Sequence, residues 1–471
     1  MSETNGNNEI QAARAEVYER ADSVWTRGDG APGVRRHERR ELRGPGGRAA
    51  IVAGCRTPFA KAGTVYNKMN VVDLASVPAA ELVRRLALDP NEIDDSIFGC
   101  VIPALKAPNL GREVILRNSF PGHIPGSAVN LACASANRAI VSGVESILLG
   151  QANVVLAGGA EALSNVPITY SREASQRLVE LSRAKSPVAK AQVLGKLRPK
   201  DLAPVAPAIA EYTTGLTMGE STEKMAKENA ISREAQDEIA LLSHRRAAMA
   251  QAEGRFDDQI VATFPMPGYD EAVAHDTGVR PDTNLDKLAG LKPVFDKRYG
   301  TLSAGNSSPL TDGGAAVMLM SEDKAKALGY EPLGYVRSYA WSALDPSTQL
   351  LQGPAYAAPQ ALDLAGLGLG DMDLVDMHEA FAAQILSNMK AFASPKFARD
   401  ELGRDEPLGE IDFDRFNVNG GSISIGHPFG ATGARVTMQV LEELKRRGGQ
   451  YGLITVCAAG GNGFAMVVER E

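Results

Sequence analysis

Two segments of this chain, about 300 residues apart, follow one pattern, and that repetition constrains the fold more than any other feature. The first opens at Asn130-Leu131-Ala132-Cys133-Ala134-Ser135 and continues with Ile140, Val144, Ile147 and Leu148 at helical spacing. It ends in Asn153-Val154-Val155-Leu156-Ala157 and the pair Gly158-Gly159. The second opens at Gly426-His427-Pro428-Phe429-Gly430-Ala431-Thr432-Gly433 and continues through Val436, Val440, Leu441 and Leu444. It ends in Leu453-Ile454-Thr455-Val456-Cys457 and Gly460-Gly461. Each reads as a tight turn, a helix, a buried strand and a glycine pair. A period this long points to a duplicated half and excludes a solenoid. Upstream, Ala49-Ala50-Ile51-Val52-Ala53 reads as a buried strand broken by Arg56-Thr57-Pro58-Phe59. Val71 to Leu86 has helical spacing, and Asp95 to Val101 is a second strand. Strands alternating with helices predict an α/β chain, with a mainly parallel sheet covered on both faces.

Composition removes several classes of function. At 471 residues, two to three domains are expected, and 44% hydrophobic with 23% charged residues is a globular mixture. Fifty basic against 57 acidic side chains leave a net charge of −7, the opposite of a nucleic-acid binder's footprint. No apolar run approaches the roughly 18–20 residues that span a bilayer. Four cysteines with no Cys-x-x-Cys pair make neither a disulfide framework nor a zinc site, and imply a reducing compartment. Residues 1–48 stand apart, with eight acidic and nine arginine side chains. They lack the apolar stretch of a signal peptide and are too acidic for a transit peptide. Residues 9–25 have the spacing of a short amphipathic helix, but a mobile polar tail is the expectation. Residues 166–290 are irregular and rich in long polar helices, as an inserted lid would be.

Few side chains are placed for chemistry. Cys133 sits where a turn enters a helix, and free amides at a helix N-terminus favour a thiolate. A buried, inert cysteine is the competing reading, and position alone does not decide. Cys55 and Cys100 lie in strand-like apolar runs and read as structural. His427 sits in a glycine-rich loop, Asn417 to Pro428, with room to reach a cavity as a base for a thiol; a loop histidine can equally be surface decoration. His378, in Asp376-Met377-His378-Glu379-Ala380-Phe381, is expected to open a helix whose start Glu379 stabilises. Cys457 ends a strand just before Ala458-Ala459-Gly460-Gly461-Asn462-Gly463, where backbone can approach a ligand closely. His37, His123, His244 and His275 have no comparable setting.

These segments occur in the order and spacing of the thiolase family, which the chain resembles from about residue 48 to its end. Gly158-Gly159-Ala160-Glu161 and Asn306-Ser307-Ser308-Pro309-Leu310-Thr311-Asp312-Gly313-Gly314-Ala315 belong to the same resemblance. His378 before Glu-Ala-Phe, where many thiolases have Asn, is similar to the branch containing the β subunit of fatty-acid β-oxidation complexes. Arg198 to Leu202 and Ala210 to Leu216 point to the same branch. The resemblance implies two α/β halves forming a five-layered α-β-α-β-α core with an inserted loop domain. Residues 49–165 and 291–330 would form the first half, 166–290 the insertion and 331–471 the second half. It implies thiolytic cleavage of 3-ketoacyl-CoA, with Cys133 as nucleophile, His427 as its base and Cys457 as the acid for the departing enolate. His378, with a water, would help His427 serve the enolate oxygen. The amides of Cys133 and Ala459 would serve the tetrahedral oxyanion, provided Ala459, where many thiolases have Gly, keeps a negative φ. Ser308 would meet the pantetheine arm. CoA enters as co-substrate, with no tightly bound cofactor and no metal. A homodimer joined near residues 99–125, a multifunctional α partner carrying hydratase and dehydrogenase activities, and a cytoplasmic location complete the expectation.

From Ser182 to Lys200 there are six basic residues and no acid. That stretch reads as a solvated face, a partner for CoA phosphates, or a docking surface for an anionic membrane. Three alternatives to the main reading stand beside it. A β-ketoacyl synthase would use Cys133, His378 and His427 but has no second catalytic cysteine. A biosynthetic acetoacetyl-CoA thiolase favours Asn at position 378. A lipid-binding scaffold subunit should have lost part of the constellation.

Overall fold

The computed structural model describes residues 10–21, 38–203, 205 and 210–471. The remainder of the N-terminal extension, with its Arg35-Arg36-His37 run, lies outside the described residues. After α1 (Gln11–Arg14), the chain forms β1 (Ala49–Arg56), β2 (Ala60–Lys61), α2 (Val71–Arg85), β3 (Asp95–Gly99), α3 (Leu110–Arg117), β4 (Gly126–Val129), α4 (Ser135–Leu148) and β5 (Val154–Glu161). An excursion follows, carrying α5 (Arg172–Arg183), α6 (Pro187–Leu194), α7 (Met218–Glu228), α8 (Arg233–Ala252) and α9 (Leu285–Ala289). The chain then returns through β6 (Thr311–Ser321), α10 (Glu322–Ala327), β7 (Gly334–Ala343), α11 (Gly353–Ala365), β8 (Leu374–Met377) and α12 (Ala382–Ala393). It ends with α13 (Pro395–Asp400), α14 (Ser422–Ile425), α15 (Thr432–Arg447), β9 (Tyr451–Ala458) and β10 (Asn462–Glu469).

The strand order β4-β3-β5-β6-β1-β7-β10-β9-β8 contains the duplication. Reading outward from the β1–β7 seam, β1, β6, β5 and β3 are matched by β7, β10, β9 and β8. The senses match too: antiparallel, antiparallel, then parallel. Even β4 has a remnant counterpart, a single parallel bridge from Val375 to Phe416. The sheet is therefore mixed, because each half closes with an antiparallel β-pair.

Alternation along the strands sorts their side chains into separate layers. In β6, Ala316, Met318 and Met320 join the apolar cluster under α2 and α3, while Ala315, Val317 and Leu319 face the cluster built around α4 and α15. In β10, Phe464, Met466 and Val468 meet that same central cluster, and Ala465 and Val467 turn to the one under α11 and α12. Helices α4 and α15 thus lie between two sheet halves, with helices outside each. Burying both faces explains the near-continuous apolar strand runs.

The two glycine pairs are not equivalent, contrary to the sequence pattern. Gly158 and Gly159 continue β5 opposite Ala316 and Ala315. Gly460 and Gly461 form the turn between β9 and β10. Residues 162–310 therefore occupy the place that a three-residue turn fills in the second half. A second correction concerns residues 10–21, which are helical and packed rather than a mobile tail. Ile10, Ala13 and Val17 form one buried stripe, and the Glu238 carboxylate of α8 accepts from Ala12 N and Ala13 N at 3.3 and 2.9 Å. A carboxylate on the first amides of a helix satisfies donors that would otherwise be orphaned.

Candidate active site

The duplication brings the starts of α4 and α15 together. They approach so closely that a Cβ on Gly433 would stand 2.2 Å from Asn137 Oδ1. Cys133 lies two residues ahead of α4, after Ala132 at φ 46°. Its turn is closed by Ala134 N donating to Leu131 O and Ser135 N donating to Ala132 O, both at 3.0 Å. The Ser135 hydroxyl adds a bond to Ala132 O at 2.7 Å and accepts from Leu131 N at 2.9 Å. His427 lies five residues ahead of α15, its amide donating to Thr311 Oγ1 at 3.1 Å. Glu161, at the end of β5, accepts from Val101 N, Ile102 N and Gly430 N at 3.1, 2.9 and 3.0 Å. That one carboxylate ties the His427 loop of one half to the other half.

His378 completes the cluster from the segment between β8 and α12. It does not open a helix as expected, since α12 begins only at Ala382. Nor does Glu379 stabilise a helix start. It is buried and accepts from Ser243 Oγ and Asn417 Nδ2, both at 2.7 Å, and from Ile423 N at 3.1 Å, joining three segments under the site. Ligand-type atoms of Cys133, His378 and His427 all lie within 4.8 Å of one another. The two imidazole rings are 4.0 Å apart at 46°. Both Nε2 atoms are buried without a partner, while each Nδ1 is held by a hydroxyl. For His427 it is Thr432 Oγ1 at 2.6 Å, and for His378 it is Ser422 Oγ at 2.9 Å. Arg435, fully buried in α15, donates to the same Ser422 oxygen at 3.0 Å.

Burial dominates the electrostatics, and overturns one expectation. The Cys133 thiol is pushed up to about 12, because desolvation outweighs the amides of Ala459 and of Cys133 itself, which pull it down. Burial pushes the Cys457 thiol further up, and the neighbouring Cys133 adds to it. His427 is pushed down to about 3 by burial and then by the Arg435 charge. His378 is driven well below its usual range by burial, then by His427 and Arg435. Burial thus works against charge on every member of the cluster, raising both thiols and lowering both imidazoles. Cys133 is half-buried by solvent exposure, unlike the other three cysteines, and the desolvation it does feel opposes the pull of the helix start.

Cys457 is buried in β9. In the turn that follows, Gly460 and Gly461 take φ of 78° and 71°, whereas Ala459 is not among the residues with positive φ. The condition set for a backbone donor at Ala459 is therefore met. From the excursion, Glu211 accepts from Gly460 N at 2.6 Å. Ser308 lines a cleft of about 660 Å³ together with Lys61, Arg280, Lys287 and Ile423. The cleft reaches Thr311, which holds the His427 amide. His244, set aside in the sequence, also lines it; its Nδ1 accepts from Arg280 N at 3.3 Å. Cys55 and Cys100 are buried and bonded to Pro78 O and Glu161 respectively. Ser422, Thr432, Glu211 and Glu379 lie within segments singled out in the sequence, and Arg435 just beyond one, but no part in the site is legible for any of them, because such side chains gain one only from what they touch. Among the described residues, no helix is long and apolar enough to cross a membrane.

Comparison with known proteins agrees with this geometry. Family models for the thiolase N-terminal domain and the thiolase C-terminal domain match residues 49–323 and 330–470. A protein from Aliivibrio fischeri (strain MJ11) named 3-ketoacyl-CoA thiolase is 50% identical over 426 residues, covering 90% of this chain and 96% of its own length. One of the same name from Yersinia enterocolitica is 48% identical, covering 90% and 98%. The crystal structure of human mitochondrial 3-ketoacyl-CoA thiolase in complex with CoA superposes with a TM-score of 0.76 at 31% identity, covering 92% of this chain and 100% of that one. The Bacillus anthracis acetyl-CoA acetyltransferase structure gives 0.77 at 34% identity, covering 90% and 98%.

Proposed function

The chain belongs to the thiolase family, and from that premise we propose that it cleaves 3-ketoacyl-CoA with CoA, giving acetyl-CoA and a shortened acyl-CoA. The observation that carries the reading is the single cluster of Cys133, His378 and His427 with Cys457 beside it. In this reading residues 49–165 with 291–330 supply the nucleophile, and 331–471 supply the base and the acid. Residues 166–290 cover the site.

Hydrogen-bond roles divide the two imidazoles. Thr432 Oγ1 donates to Pro428 O at 3.0 Å, so it accepts Nδ1–H of His427 and leaves Nε2 a bare lone pair. Ser422 Oγ already receives Arg435 Nη2, and in this reading its own proton goes to His378 Nδ1, so that His378 presents Nε2–H. His427 is thus the base and His378 the donor. As the Cys133 sulfur attacks the keto carbon, Nε2 of His427 takes its proton. Proton transfer accompanies attack, because the resting thiol at about 12 does not ionise beforehand. The amides of Cys133 and Ala459 hold the tetrahedral oxyanion. Collapse breaks the Cα–Cβ bond, and the enolate leaves against His378 and protonated His427. Cys457 S–H protonates its carbon. The Cys457 thiolate then deprotonates incoming CoA, whose sulfur displaces Cys133 from the thioester, and Cys133 recovers its proton from His427. In the condensing direction Cys457 removes the α-proton. CoA is a co-substrate, and its phosphates meet Lys61, Arg280 and Lys287 at the cleft mouth.

Membership in a β-oxidation complex, as its β subunit with a hydratase/dehydrogenase α partner, belongs to the same proposal. The outermost strand supports self-association: among the described residues β4 has no outer neighbour, Ser127 and Ala128 are exposed, and Leu105 is 76% exposed. An open strand edge beside exposed apolar residues favours pairing with a second copy. On the excursion, Val188 and Leu194 are 68% and 51% exposed among Lys190, Lys196 and Lys200, a composition suited to an anionic membrane surface. Assay of the purified chain with CoA and 3-ketoacyl-CoAs of increasing chain length tests the activity. Turnover only of the four-carbon substrate would favour the biosynthetic alternative; no acyl transfer at all would favour the scaffold.

A further inference from the structure

We propose that Cys133, His378 and His427 form a binding site for a zinc-like divalent cation, and that its occupancy reversibly blocks the nucleophile. The spacing argument against zinc applies to a Cys-x-x-Cys site and does not reach one assembled from residues 133, 378 and 427. The three ligand atoms lie within 4.8 Å of one another. Tetrahedral zinc with Zn–S ~2.3 Å and Zn–N ~2.0–2.1 Å sets ligands roughly 3.3–3.6 Å apart, so side-chain adjustments of about 1 Å close the set.

Three further observations favour a metal. Both Nε2 atoms are buried and unpartnered, with His378 at 0% and His427 at 2% exposure, so neither gives up a hydrogen bond at Nε2 to reach a cation. Both Nδ1 atoms are anchored by hydroxyls, the outer hydrogen bonding that orients metal-binding imidazoles. The ligand set is one thiol and two imidazoles with no carboxylate, which selects zinc-like ions over magnesium or calcium. Three protein ligands leave a fourth position for water.

Binding balances without redox chemistry. The Cys133 S–H bond breaks, its proton passes to solvent, and the sulfur bonds the cation. His427 binds through its existing Nε2 lone pair. His378 moves its proton from Nε2 to Nδ1, where the Ser422 hydroxyl turns to accept it. The metal-binding half of the proposal stands on this geometry; the inhibitory half rests on the acyl-transfer reading above.

The test uses the full chain, metal-free and without CoA, whose own thiol would compete. Titration with Co²⁺ should give a thiolate-to-cobalt charge-transfer band at one equivalent. The band should vanish in Cys133→Ser, and in His378→Asn affinity should fall by more than the ~10–100-fold that loss of an outer partner alone costs. Zn²⁺ should slow iodoacetamide alkylation of Cys133, and EDTA should restore it. No thiolate band, or a band that survives Cys133→Ser, overturns the site. If the band appears as expected but the metal-free chain performs no thiolysis, the metal site stands and the acyl-transfer reading falls. If thiolysis is normal and Zn²⁺ leaves alkylation unchanged, the opposite holds.

Discussion

His378 and His427 stand with ring centroids 4.0 Å apart, each with its outer nitrogen held by a hydroxyl, and the two hydroxyls are engaged differently: Thr432 donates onward to Pro428 O, whereas Ser422 receives Arg435. In the proposed mechanism that difference makes one imidazole a donor and the other a base. The first prediction follows from what enforces the difference. Ser422→Ala removes the proton that fixes His378, while leaving both imidazoles in place. Thiolysis should show kcat reduced about tenfold with KM nearly unchanged, short of the ~10²–10³ loss of removing an oxyanion donor outright. Ser422→Thr should restore most of it. A fall in KM and kcat alike, unrescued by Thr, would point to general loosening instead.

The cysteines should separate by role. Cys133 should be alkylated by iodoacetamide before Cys55, Cys100 or Cys457, and acyl-CoA should protect it. Cys457→Ser should keep acyl transfer from acyl-CoA to Cys133 while losing most thiolysis, since only the carbanion step needs its proton. Cys133→Ser should lose both. Mass mapping of the labelled peptide and a single-turnover acylation assay read these outcomes, and equal loss of acylation in both variants would remove the division.

Two buried groups should pull stability in opposite directions with pH. His427 lies at about 3 in the folded chain against 6.5 when exposed, so its contribution is present above 6.5 and is lost as pH falls towards 3. Glu161 is raised from 4.5 to about 7, so its contribution is present below 4.5 and is lost as pH rises through 7. In Glu161→Gln the decline from acid pH to 7 should flatten. Tm should also drop at every pH, because the amide nitrogen faces backbone N–H groups at a cost of about 1–3 kcal/mol. Melting curves across the pH range check both statements. A Gln variant with the parent's slope would move the titration to another group.

Assembly is predicted at the β4 edge. Light scattering of the purified chain should give a dimer or larger at micromolar concentration, and Ala128→Pro should shift it towards monomer with reduced activity. A fully active monomer would sink the idea.

Replacing Lys190, Lys196 and Lys200 with Glu should leave thiolysis intact and abolish binding to anionic vesicles. Unchanged vesicle binding, or none in the parent chain, would return that stretch to a solvated face.

What the sequence by itself determined was everything with a local signature. Helices such as Val71–Arg85 follow from spacing, and buried strands such as β5 and β9 from apolar runs. Cys133, His427 and Cys457 could be singled out because their turns and glycines leave marks in the chain. Whether the Cys133 thiol ionises was not local: the helix start argues for a thiolate, but the packing around the sulfur reverses that, and packing is absent from a linear string. The glycine pairs looked alike, yet only tertiary pairing made one a strand and the other a turn. Ile10, Ala13 and Val17 were legible as a stripe, but not the α8 and α12 surface that covers them. Ser422, Thr432, Arg435 and Glu379 carry no signature, since a hydroxyl or a buried charge gains its role only from what it touches. Residues 133, 378 and 427 are far apart in the chain and meet because the duplicated halves bring the starts of α4 and α15 to one point. Sequence supplied the reactive groups; the pseudo-symmetric packing decided their burial, their hydrogen-bond partners and their meeting.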